Sequence, residues 1–92
     1  MEYILTFGST SHSIRAEQTL LAKGLSVTVM PLPSAIRAGC GLCLRVREPH
    51  LAAARETLSD AAVPIERIYL REPTGPVSTY TLFSKEESRE NS

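Results

Sequence analysis

Cys40 and Cys43 are the only cysteines in the chain, in a Cys-Gly-Leu-Cys run with Gly39 and Gly41 on either side of Cys40. Thiols this close point to three chemistries: a redox pair, a metal site, or one reactive nucleophile with a neighbour. A redox pair of this spacing works on the first turn of a helix, whereas Cys43 sits in an alternating strand pattern. Extended residues three apart are separated by roughly 10 Å and face opposite sides. A disulfide needs α-carbons within about 7 Å, so the pair can bond only if Cys40 folds back in a turn. Structural zinc wants four ligands. His50 lies at the far end of the same strand, about 23 Å from Cys40 if the residues between are extended. His12 would bring the ligands of one chain to three. No metal and no cofactor is expected. The third reading is one reactive thiol, Cys40, with Cys43 auxiliary or simply a strand residue. Such a thiol can attack a sulfur or selenium donor and hold the atom as a persulfide or selenosulfide. The plainer alternative is that both are small, semi-buried residues without chemistry.

The candidate assistants of Cys40 are His12, as base or charge partner, Arg37, as a fixed cation three residues away, and the hydroxyls of Ser9, Thr10 and Ser11. Each has a plain alternative: His12 as an exposed first-turn residue, Arg37 as a solvated loop residue. Gly39 and Gly41 either allow a tight backbone path with amides open to an anion, or punctuate a loop. Glu17 falls within the sheet-facing stripe of a helix. It is either a half-buried carboxylate near the thiol loop or a long side chain leaving the stripe for solvent.

Positioning these groups requires a scaffold. Residues 3–7 alternate as a strand, Gly8 breaks it, and Ser9, Thr10 and Ser11 are good caps for a helix running to about Lys23. Gly24 suits the position after a helix end. Leu25, Val27 and Val29 alternate with polar residues in a second strand, ended by Pro31-Leu32-Pro33. Leu42, Leu44 and Val46 mark a third strand. Pro49 suits the first position of a second helix with Leu51, Ala54, Leu58 and Ala61 on one stripe. Residues 64–70 form a fourth strand. The order strand, helix, strand, strand, helix, strand predicts an α+β, ferredoxin-like βαββαβ two-layer sandwich with an antiparallel four-stranded sheet. Both helices should cover one face, leaving Thr6, Ser26, Thr28, Arg45 and Arg47 on a wet or partner-covered one. In this topology the first helix begins at the sheet edge that also carries the hairpin loop of Cys40. The partial positive charge of that helix end would favour a thiolate.

Residues 1–70 are expected to form the ferredoxin-like domain and residues 71–92 a C-terminal extension. The extension opens on the breaker cluster Glu72-Pro73-Thr74-Gly75-Pro76, with a short strand or partner-binding segment at 77–83 and a polar, disordered end beyond. Ninety-two residues suit one domain. The formal net charge is zero, which argues against duplex nucleic acid or an anionic membrane as the main partner. No apolar run approaches the ~20 residues that span a bilayer. The first residues lack the pattern of a signal peptide, so a cytoplasmic location is expected.

The run Ile4-Leu5-Thr6-Phe7-Gly8-Ser9-Thr10-Ser11-His12, then Ala16-Glu17, then Val29-Met30-Pro31-Leu32-Pro33, then Cys40-Gly41-Leu42 resembles the putative selenium/sulfur carrier protein-like family of short bacterial proteins. The resemblance covers roughly residues 3–70, and its most specific parts are the Pro-x-Pro turn and the later Cys-Gly pair. It implies a ferredoxin-like fold and one important cysteine, matching Cys40, and extends to the Ser/Thr-His segment and Glu17. The chain departs from the family in having Cys43 where a small apolar residue is usual, and Ile36-Arg37-Ala38-Gly39 where serines are usual. The expected function is that of a stoichiometric carrier rather than a turnover enzyme. Its partners would be sulfur or selenium donor and acceptor proteins, with homodimerisation left open. The rival expectations are a non-catalytic binding module of the same fold and, third, a thiol–disulfide oxidoreductase.

Overall fold

The computed structural model describes residues 1–37, 41–74 and 77–85, without the side chains of Thr74, Val77 and Lys85. Cys40 and Gly39 lie outside the described residues. The elements run β1 (Glu2–Thr6), α1 (Thr10–Ala22), β2 (Val27–Pro31), β3 (Leu42–Arg47), a 3-10 turn (Glu48–His50), α2 (Leu51–Asp60), β4 (Arg67–Thr74) and β5 (Val77–Lys85). The strands form one antiparallel sheet in the order β2-β3-β1-β4-β5.

The sheet has five strands, not the expected four. Residues 77–83 are rich in β-branched and aromatic residues (Val77, Thr79, Tyr80, Thr81 and Phe83), and β4 without them would present an open edge. Of the breaker cluster, Glu72, Pro73 and Thr74 continue β4: Thr74 pairs with Val77, and the pairing runs back to Arg67 and Lys85 with one irregularity at Ile68/Tyr69. Pro73 is tolerated because it lies past Arg71, the last β4 residue paired with β1. There β4 has β5 as its single neighbour.

Both helix ends follow from local chemistry. Ser9 caps α1, its hydroxyl accepting from the His12 N–H at 3.2 Å. At the other end Gly24 takes φ +79°. Its N–H donates to Leu21 O at 2.9 Å while Leu25 N–H donates to Leu20 O at 3.1 Å, which is the Schellman pattern. The end of α2 repeats it with Ala62 at φ +58°, Ala62 N–H to Ser59 O at 3.1 Å and Val63 N–H to Leu58 O at 2.9 Å.

The main core lies between helices and sheet: Tyr3, Leu5, Phe7, Leu44, Val46 and Ile68 from the sheet side against Ala16, Leu20, Leu51, Ala54 and Leu58. The sheet-facing stripe of α1 is Ser13, Ala16 and Leu20, so Ile14 and Leu21 end up exposed. Ser13 tolerates burial because its hydroxyl donates to Ser9 O at 3.4 Å. The other sheet face is drier than its polar residues suggest. Ile4 and Thr6 are fully buried there because β1 is the central strand. A second cluster covers them: Ile4, Ile36 and Cys43, with Met30, Leu32, Tyr69 and Tyr80 packed around. Thr6 satisfies its hydroxyl by donating to Glu66 Oε1 and Arg67 O, both at 3.4 Å.

Candidate functional site

Strand register fixes where the cysteine loop begins and ends. Thr6, the last residue of β1, pairs with Cys43, and Pro31, the last of β2, pairs with Leu42. The loop joining β2 to β3 therefore leaves and re-enters at the edge where β1 feeds α1. Its neck is pinned by a backbone bond from Leu32 N–H to Gly41 O at 2.8 Å. Inside the neck, Ile36 N–H donates to Pro33 O at 2.9 Å and closes a turn. That turn drops the Ile36 side chain against Ile4 and Cys43. Ile36 keeps only 4% of its surface exposed.

The described half of the loop thus leans on the sheet face away from the helices, whereas α1 covers the opposite face. Ser9 spends its hydroxyl on the helix cap and also lies 3.2 Å from the Ser11 hydroxyl. Thr10 and Ser11 are exposed in the first turn and His12 is half-buried there. Arg37 is exposed, next to the Ile36 anchor. Gly41 supplies the neck carbonyl and is exposed; a Cβ built on it would meet nothing within 4 Å among the described residues. Glu17 is half-buried at the margin of the α1 core stripe.

Cys43 is the cysteine whose surroundings are described. It is 0% exposed, and its sulfur points at Met30 O at 3.7 Å and Pro31 O at 3.8 Å. Buried in that way, the thiol is shielded from solvent among the described residues. His50 sits beyond the opposite end of β3 from Cys43, its Nδ1 buried without a hydrogen-bond partner among the described residues. Among the described residues no group of three His, Cys, Asp or Glu side chains is placed to hold a metal ion. No helix there is long and apolar enough to cross a membrane.

Sequence reasoning missed Ile36 as the anchor of the loop. A lone isoleucine in a loop carries no periodic signal, and its burial depends on which sheet face the turn chooses.

Two helices on one face of an antiparallel sheet, with a pinned hairpin loop at one edge, define a small α+β sandwich protein. Residues 2–70 match the model of the family described as "Putative Se/S carrier protein-like", and the chain belongs to that family. Neither the comparison with curated proteins nor that with solved structures gives a match.

Proposed function

We propose that this chain accepts a sulfur or selenium atom on Cys40 and passes it to a partner protein. The observation that carries the assignment is the burial of Cys43. In a family described as "Putative Se/S carrier protein-like", a carrier chain with two cysteines needs one that a donor can reach. Cys43 is buried in a cluster with Ile4 and Ile36, which supports Cys40, flanked by two glycines in the sequence, as the cargo residue.

The proposed step balances without an external oxidant. The Cys40 thiolate attacks the outer sulfur of a donor persulfide, a new S–S bond forms at Cys40, and the donor's inner sulfur leaves as a thiolate. A donor bearing selenium in the outer position reacts in the same sense. Transfer to an acceptor thiolate repeats the exchange in the other direction. His12, Arg37, Gly39 and Gly41, with Ser9, Thr10 and Ser11, are the proposed surroundings of the charged thiol, and Glu17 of α1 is proposed as a group behind them. Residues 1–70 are proposed as a ferredoxin-like carrier domain in the cytoplasm, with residues 71–92 as an extension to it. The strand order β2-β3-β1-β4 within the larger sheet supports that reading.

The test is loading of the purified chain with a low-molecular-weight persulfide, read by intact-protein mass spectrometry. Cys40→Ser should abolish the added sulfur, and Cys43→Ser should keep at least part of it. Equal loss in both variants would sink the single-thiol mechanism.

A further inference from the structure

We propose that the sheet face around Arg47 and Arg71, at the end away from the cysteine loop, is a binding site for a small oxyanion: a phosphate or carboxylate group. Glu2 pairs with Arg47 on one side and Arg71 on the other, and Arg45 stands two residues before Arg47 on β3. Period-two alternation puts all four side chains on the face away from the helices. Three guanidinium groups against one carboxylate leave a net charge of +2 (three minus one).

That carboxylate is already spent. Arg71 donates to Glu2 Oε1, and Arg45 Nε lies 3.7 Å from Glu2 Oε2. Arg47 is exposed and makes no ion pair among the described residues. Arg71 Nε is buried with no hydrogen-bond partner there, a donor left over in an otherwise ordered group. Side-chain hydrogen bonds to Tyr80, its cross-strand neighbour, and then to Glu2 hold the Arg71 guanidinium above its ordinary range, so it stays charged.

Two clefts flank Glu2 and share Arg47. One, of about 280 Å³, is also lined by Arg45 and the hydroxyl-bearing Ser26 and Thr28. The other, of about 270 Å³, is also lined by Arg71 and Pro73. Such volumes suit a small ligand rather than a long polymer, standing near the lower limit of roughly 300 Å³ for ligand sites. Arginine is the side chain best shaped for a forked grip on an oxyanion. The site lies about 13 Å along β3 from Cys43 and stands whether or not Cys40 carries cargo.

The experiment is a titration of the ¹⁵N-labelled full chain with inorganic phosphate, citrate and chloride in parallel at constant ionic strength. Saturating shifts should be confined to the amides of Glu2, residues 26–28, Arg45, Arg47 and Arg71 and to the arginine Nε–H signals. Saturation by phosphate alone, by citrate alone or by both supports the site and names its ligand group. Arg47→Ala, at an exposed position, should fold normally and weaken binding about tenfold. Arg71→Lys keeps the charge but removes Nε and should also weaken it. Shifts that never saturate, shifts equal in chloride, or an unchanged affinity in Arg47→Ala overturn the proposal. A glutamate-rich peptide that saturates these amides when neither small anion does overturns it as well.

Discussion

Ile36 carries more of the loop than any other described side chain. It comes from a segment with no regular structure, yet it closes the cluster over Ile4 and Cys43. Truncating it leaves a cavity against Ile4 and Cys43. Ile36→Ala should therefore cost about 2 kcal/mol, the low end for a buried isoleucine because the cluster is small. Equilibrium urea unfolding would measure that loss. The same change should make Cys43 alkylate faster in a Cys40→Ser background, read by mass spectrometry. A Cys43 that stays protected would show that the strand itself shields the thiol. At this scale the sequence was readable where residue type carries a single meaning: Ser9 as the cap, Gly24 as the helix stop. It was opaque at Thr6 and Ser13, polar residues that are buried with an acceptor for each hydroxyl: Ser9 O one turn back for Ser13, and Glu66 and Arg67, distant in the chain, for Thr6.

The two helix ends make a matched comparison. Each uses a left-handed residue after the last turn and the same pair of backbone bonds, but α1 has Gly24 there and α2 has Ala62. A side chain in that conformation costs roughly 1 kcal/mol. Gly24→Ala should lower stability by about 1 kcal/mol, and Ala62→Gly should raise it by about 0.5–1 kcal/mol because Ala62 is exposed and gives up little packing. Urea midpoints of the two variants, taken with unchanged slope, decide it; two changes of the same sign would refute the argument. The element order of α1, α2 and the first four strands was legible because apolar periodicity and caps agreed with each other. The end of α2 was not, since Ala61 and Ala62 extend an alanine-rich helix without a glycine signal. β4 accordingly starts at Arg67 rather than at residue 64, and runs on through Pro73 to Thr74.

For the whole molecule, β5 is the fifth strand, at a segment the sequence offered as either a short strand or a partner-binding stretch. The family match ends at residue 70, whereas the sheet continues through Lys85. β5 shields the outer edge of β4 and brings Phe83 edge-on to Tyr3, with ring centroids 5.0 Å apart. A chain ending at Thr74 should unfold at lower temperature and elute as larger species in size-exclusion chromatography, because an uncovered strand edge pairs with its copies. If the shortened chain stays monomeric with an unchanged midpoint, the extension adds nothing to the fold. Of the candidate site, the sheet edge at which the β2–β3 loop begins and ends was legible, and with it the strand position of Cys43. Which thiol is sealed depends on contacts between residues far apart in the chain, and no local pattern encodes them.

The bond between Leu32 N–H and Gly41 O also separates two properties that usually trade against each other. Strand register is decided at the neck, so the span between its ends can vary in length without disturbing the sheet. Closing a longer span costs only about 0.6 kcal/mol for each doubling. The span between Leu32 and Gly41 is thus the place where this scaffold can accept insertions, whether by descent with modification or by splicing in a reporter segment after Arg37. The four pairs of β2 and β3 from Val27 to Met30 would keep their partners throughout.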